Sequence, residues 1–229
     1  MNINCIIPFV QLPNDWLKNL RTLQIDVQLK FPNYLFNYVL ISDGCAALTV
    51  NEITQINNYA WHYIAYATNM GKGFAVRKGI ECKDADIYIY TDIDIPFANE
   101  NVLEMIDILM NNDVVIGVRD NIYYNSIPFQ RRCISKLFQW VTKIIFNLEI
   151  SDTQTGLKGF RHSIKSIFLQ TKTNRFLFDL EFLLLVKQQF KITAMLVRLH
   201  NNKINIFNLR VKVILEEVIN FVKILYRML

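Results

Sequence analysis

"ADIYIYTDIDIPF", residues 85–97, alternates apolar and polar side chains as a β-strand does and then sets Asp92 and Asp94 on either side of one isoleucine. Inside a continuing strand the two carboxylates would share one face of the sheet about 7 Å apart. A bend after Asp92 would instead let both reach one cation, directly or through water. Mg²⁺ and Mn²⁺ favour carboxylate oxygens and complete their shell with the oxygens of a phosphorylated ligand. A metal held there would neutralise a diphosphate, which matters most when the diphosphate is a leaving group. The competing reading is an acidic surface turn, because so short a motif is common by chance.

Working outward, apolar runs rich in Ile, Val and Tyr recur at 3–9, 36–42, 62–68, 86–92 and 113–118, and each reads as a strand. Between them Trp16, Leu17, Leu20 and Leu23, then Ile53 and Ile56, then Val102, Leu103, Ile106 and Leu109 repeat at helical spacing. Strand alternating with helix predicts an α/β fold with a mostly parallel central sheet flanked by helices. Ligands bind such sheets beyond the carboxyl ends of the strands. The polar residues expected there are Pro8 with Gln11, Asp43 with Gly44, Asn69 with Gly71 and Lys72, Asp92 with Asp94, and Arg119. "NMGKGFAVRKGI" (69–80) opens a basic helix with two glycines, so an anion could meet backbone N–H groups and Lys72 together. From about residue 129 helical patterns flank "SDTQTGLKGFR" (151–161) and "NRFLFDLEFLLLV" (174–186), and this half is expected to receive the second substrate.

Bulk properties narrow the class. The chain has 229 residues, 52% hydrophobic and 20% charged, as one compact domain would. Only 7 Gly and 5 Pro argue against linkers, repeats and disorder. A formal charge of +5 suggests an anionic partner: nucleic acid, a phosphorylated small molecule or a membrane surface. Cys5, Cys45, Cys82 and Cys133 are widely spaced without a CxxC pair, which fits neither a zinc site nor a disulfide framework and favours a reducing, cytoplasmic location. "MNINCIIPFV" lacks the basic start and long apolar run of a signal peptide. No window holds the roughly 18 apolar residues of a membrane span, so membrane contact is expected to be peripheral.

"IIPF", "ISDGC", "NMGKGFAVRKGI", "YIYTDIDIPF", "VVIGVRD", "RRCIS", "DTQTGLKGF" and "FLFDLEFL" follow one another as in family 2 glycosyltransferases, and over residues 3–200 the chain resembles the dolichyl- or polyprenyl-phosphate sugar transferases most. The resemblance implies a GT-A fold, a nucleoside-diphosphate-sugar donor, and Mg²⁺ or Mn²⁺ at Asp92 and Asp94. It also implies that Pro8, Asp43, Lys72, Asp92 and Gln154 face the donor. Arg119, Arg132 and Ser135 would bind the acceptor phosphate, and Asp94, Asp152 and Asp179 would stand at the chemistry. The chain departs from the pattern in three places. "PFVQLP" replaces PxYNE, Ser42-Asp43 replaces a paired Asp, and Ile95-Pro96 stands where relatives often carry Leu-Gln.

A lipid phosphate acceptor is already ionised near neutral pH, because its last protonation lies near about 6, and it needs no general base. His62, His162 and His200, each isolated in sequence, are then expected to be structural or surface residues. A sugar hydroxyl acceptor, as in surface polysaccharide or glycolipid assembly, would need a carboxylate base, for which Asp152, Asp179 and Glu181 are available. "FDLE" reads equally as a helix start whose acids favour the positive end of the dipole. Nucleotidyltransfer is the rival enzyme class, but "PFVQLPND" lacks its glycine-rich basic loop. A nucleic-acid-binding role finds no reader motif.

"RRCISKLFQWVTKIIFNL" and "NLRVKVILEEVINFVKILYRML" are both amphipathic and basic, which suits core packing or an anionic interface. The expected division is a glycosyltransferase domain over 1–203 and an amphipathic helical extension over 204–229. The extension would meet the inner face of the membrane, a second copy or membrane partner, or its own domain.

Overall fold

The computed structural model describes residues 1–44, 48–120, 123–124, 127–148, 150, 152–198 and 211–228. The first half runs β1 (Asn2–Phe9), α1 (Trp16–Lys30), β2 (Leu35–Asp43), α2 (Val50–Asn58), β3 (His62–Tyr66), α3 (Lys72–Cys82), β4 (Ile87–Tyr90), α4 (Asn99–Leu109) and β5 (Val114–Arg119). The second half runs α5 (Phe129–Phe146), β6 (Lys158–Arg161), α6 (Lys165–Phe168), α7 (Phe178–Val186), β7 (Ile192–Val197) and α8 (Val211–Met228). The strands form one sheet in the order β3-β2-β1-β4-β6-β5-β7. It is the mostly parallel, helix-flanked sheet that the strand-helix alternation predicts.

Alternation along the central strands builds a core on each face of the sheet. Ile3, Cys5, Ile7, Ile87 and Ile89 point to one side, where α1 contributes Trp16, Leu20, Leu23 and Val27 and α4 contributes Val102, Met105, Ile106 and Leu109. Ile6, Tyr88 and Tyr90 point to the other, against Ala75, Val76 and Ile80 of α3 and Phe178, Phe182, Leu183 and Val186 of α7. Burial on both faces explains why β1 and β2 read as near-continuous apolar runs.

Two strands were not expected. β6 lies antiparallel between β4 and β5, with Tyr90 opposite Lys158 and Ile116 also opposite Lys158. Its four residues, "KGFR", carry two charges and a glycine; only the flanking strands make them a strand. β7 extends the sheet beside β5 in parallel. The expected domain boundary, between residues 203 and 204, falls outside the described residues. α8 is docked on the rest of the chain: Ile224 is fully buried with Phe146, Leu148, Leu177, Leu180 and Leu184. Among the described residues no helix is long and apolar enough to cross a membrane.

Candidate active site

The bend expected after Asp92 is present. β4 ends at Tyr90, and the Ile95 N–H donates to the Asp92 carbonyl at 3.0 Å, turning the chain between the two aspartates. Ile95 takes φ +40°, a left-handed conformation that a β-branched residue rarely adopts. Burial of its side chain in the core holds it there.

Lys72 reaches Asp92 from the start of α3, its Nζ 2.6 Å from Oδ1. Burial disfavours the ammonium, but Asp92, Asp179 and Asp94 outweigh it and hold the lysine above its ordinary pKa. Gly71, just ahead of Lys72, sits at φ +104°, and a Cβ there would lie 2.4 Å from the Asn174 carbonyl oxygen. The glycine therefore permits both the turn into α3 and the close packing of segment 171–178 against it.

The anion that meets this loop is internal. Asp43, at the end of β2, accepts from the N–H of Met70 at 2.7 Å and of Gly71 at 2.8 Å, one per carboxylate oxygen. The Phe74 N–H donates to the Asn174 carbonyl at 3.2 Å. The sequence expectation of backbone donors open to a phosphate therefore does not hold for Met70, Gly71 or Phe74, and Asp43, expected to face the donor, holds the loop ahead of α3 against β2. Nor do the other basic residues of α3 face Asp92. Arg77 bonds the Thr173 carbonyl at 2.7 Å, and Lys78 pairs with Glu81 at 2.8 Å.

The "DTQTG" loop passes beside Asp92. A Cβ on Gly156 would lie 2.3 Å from Asp92 Oδ2, so only glycine lets this loop pass beside the carboxylate. Asp152 is buried and receives a two-point contact from Arg119, Nε to Oδ2 at 2.8 Å and Nη2 to Oδ1 at 2.7 Å. Thr155 Oγ1 adds a bond of 2.8 Å. Burial raises the Asp152 carboxyl, but the Arg119 hydrogen bonds and charge prevail and hold it below the usual carboxylate range. Arg119 is in turn held above its ordinary value, Asp152 outweighing the burial of the guanidinium. Arg119 Nη1 also donates to Tyr123 Oη at 3.1 Å, and the guanidinium lies 5.7 Å from the ring centre of Tyr124.

Beneath the aspartate turn lies a charge pair whose lysine the sequence reading passed over. Lys158 of β6 is fully buried, with Nζ 3.0 Å from Asp179 Oδ1 and a further bond to the Thr155 carbonyl. Burial pulls this lysine below its ordinary value despite Asp179. Tyr90 Oη donates to the same Asp179 oxygen at 2.6 Å. A lysine inside "DTQTGLKGF" beside an inward-facing strand was the available signal. Asp179 stands in the first turn of α7 with Glu181, as the helix-start reading of "FDLE" has it. Glu181 accepts from the N–H of Lys172 and Thr173 at 3.0 and 2.7 Å and pairs with Arg227 of α8 at 2.8 Å.

The remaining candidates are spread around this centre. Pro8 lies within β1 and is buried opposite Ile41, not in a loop. Gln154 is half-buried, and its Nε2 has no hydrogen-bond partner. Arg132 and Ser135 lie one turn apart on α5, both half-buried, and Arg132 Nε is likewise unpartnered. His62 contacts Lys83 at 2.8 Å and His162 the Ala85 carbonyl at 3.0 Å, neither near the aspartates in these contacts. His200 lies outside the described residues. Among the described residues no three His, Cys, Asp or Glu side chains converge as a protein-only metal cage. Two carboxylates on a bend are the oxygen donor set that Mg²⁺ or Mn²⁺ uses when a phosphorylated ligand supplies the other oxygens.

The seven-stranded, mostly parallel sheet with its flanking helices matches solved structures of the GT-A fold. Glucosyl-3-phosphoglycerate synthase from Mycobacterium tuberculosis, solved with Mn²⁺, UDP-glucose and phosphoglyceric acid, aligns with a TM-score of 0.67 at 8% identity over 98% of this chain and 79% of that one. S. aureus TarS aligns with a TM-score of 0.55 at 14% identity, covering 85% of this chain and 58% of that one. The mannosyltransferase PcManGT from Pyrobaculum calidifontis, solved with GDP-mannose and Mn²⁺, gives 0.52 at 11% identity, over 85% of this chain and 55% of that one. At such identities the likeness is one of fold, and the fold is GT-A. No protein-family model matches the sequence, and no curated protein matches it.

Proposed function

We propose that this chain is an inverting, metal-dependent glycosyltransferase that moves a sugar from a nucleoside-diphosphate sugar to polyprenyl phosphate or a related lipid-linked acceptor at the cytoplasmic face of a membrane. Asp92 and Asp94 would hold Mg²⁺ or Mn²⁺, which offsets the charge of the departing diphosphate. Lys72, kept cationic by the aspartates around it, stands ready to take a share of that charge. Asp43 positions the loop that carries Lys72, while Pro8 and Gln154 complete the donor side, Gln154 with an amide free to donate.

The observation that carries the acceptor assignment is the state of the carboxylates. Asp152 is tied to Arg119, Asp179 to Lys158 and Tyr90, and Glu181 to Arg227 and two backbone N–H groups. Each of these carboxylates is already engaged by donors of the chain itself, which favours a nucleophile that arrives ionised and needs no general base. An acceptor phosphate oxygen would form the bond to the anomeric carbon as the bond to the diphosphate breaks on the opposite face, giving inversion. Arg119, Arg132 and Ser135 are the groups offered to the acceptor phosphate, Arg119 while paired with Asp152.

Incubation with polyprenyl phosphate, Mn²⁺ and a panel of nucleoside-diphosphate sugars tests this reading. A sugar-phosphate-lipid product is expected; product formed only on glycosylated acceptors would refute the phosphate acceptor.

A further inference from the structure

We propose that the outward faces of α5 and α8 together form a docking surface for a lipid bilayer bearing anionic headgroups. The two helices touch through Phe221, whose ring centre lies 6.3 Å from that of Phe138 and 5.8 Å from that of Phe146. Each then turns a row of apolar side chains away from the domain. On α5 these are Ile134, Leu137, Trp140 and Ile144, with Trp140 61% exposed. On α8 they are Leu215, Ile219, Val222 and Tyr226, with Tyr226 91% exposed. Single apolar residues on a surface are ordinary, but rows at helical spacing on two touching helices mark an interaction site.

The distribution of charge selects a bilayer as occupant. α5 contains no acidic residue, and Lys136 and Lys143 lie exposed beside its apolar row. α8 has two glutamates, and both are engaged with the domain: Glu216 accepts from Arg175 at 3.1 Å, and Glu217 from the N–H of Phe176 and Leu177, each at 3.1 Å. Lys223 remains exposed among the apolar side chains of α8. With both glutamates of α8 drawn inward, Lys136, Lys143 and Lys223 left outward and aromatic residues in the apolar rows, the two helices have the composition of helices lying in an anionic interface. A second copy of the same surface would instead bring like charges together. The use of this surface rests on the lipid-linked acceptor reading, which it deepens by naming how the chain meets the lipid.

The test is co-sedimentation of the full chain with vesicles that contain no polyprenyl phosphate, made of phosphatidylcholine with or without phosphatidylglycerol. Binding is expected to the phosphatidylglycerol vesicles and to weaken as salt rises. Leu137→Glu/Val222→Glu is expected to lower partitioning by about tenfold or more with an unchanged thermal midpoint. Replacing Lys136, Lys143 and Lys223 with Gln should remove the salt-dependent part. The proposal is overturned if the wild type stays in the supernatant, if the Glu variant sediments as before, or if light scattering finds a dimer that the same substitutions dissociate. Sugar transfer to detergent-dispersed polyprenyl phosphate is read in parallel, so that loss of the docking surface and loss of the acceptor assignment are told apart.

Discussion

A Cβ on Gly156 would lie 2.3 Å from Asp92 Oδ2 and 3.8 Å from Lys72 Nζ. The "DTQTG" loop and the aspartate turn are therefore one steric unit, although sixty-odd residues separate them in the chain. Any side chain at position 156 would meet that carboxylate first.

Gly156→Ala should displace the Asp92 carboxylate, since that carboxylate is the nearest obstacle and the movable end of a side chain. We expect Mn²⁺-dependent nucleotide binding to fall by at least about tenfold while the fold loses only about 1–3 kcal/mol, the usual cost of overpacking. Calorimetric titration together with urea unfolding measures both. Unchanged nucleotide affinity would show that Asp92 tolerates the methyl group.

Asp94→Ala should abolish metal-dependent donor binding and leave the protein folded, because Asp94 is only partly buried on a turn. Calorimetry with a nucleoside diphosphate, with and without Mn²⁺, is the measurement. An equal gain from Mn²⁺ in wild type and variant would remove Asp94 from the metal site.

Lys158 and Asp179 should behave as a coupled pair. Asp179→Leu leaves a buried ammonium without its counter-charge and is expected to cost about 3–5 kcal/mol, whereas Lys158→Met/Asp179→Leu should cost less than that single change. Urea unfolding of the four proteins of the cycle gives the coupling. Strictly additive losses would mean that the 3.0 Å contact contributes nothing.

The Arg119 pair makes stability depend on acid. Asp152 has a folded-state pKa below its unfolded value of about 4, so its contribution is fully present above that value and is lost as pH falls through the lower folded value. Asp152→Asn should therefore be less stable than wild type by about 3 kcal/mol at neutral pH, and the gap should narrow below about pH 4. A gap that stays constant on acidification would mean that the carboxylate charge is not what Arg119 holds.

Much of the fold was legible because parallel strands buried on both faces leave long Ile, Val and Tyr runs, and helices packed on a sheet leave Trp16, Leu20, Leu23 and their like at helical spacing. β6 left no such trace. Lys158 and Gly159 resemble loop residues until Tyr90 and Ile116 pair with them from either side. Residue type and strand-end position made Asp43, Lys72, Asp92, Asp94 and Arg119 legible as candidates, and the family resemblance added Asp152. Their partners were not, since a carboxylate near a metal and a carboxylate clamped by an arginine look alike in sequence.

The sequence by itself determined the alternating α/β order, the place of the acidic turn at a strand end, and the amphipathic character of the two basic helices, because these depend on periodicity and local chain chemistry. Only the tertiary structure decided that Asp43 grips its own loop, that Lys158 is buried against Asp179, and that α8 folds back on the domain with its glutamates engaged there. Those outcomes depend on contacts between residues far apart in the chain, where burial and pairing fix what each charge can do.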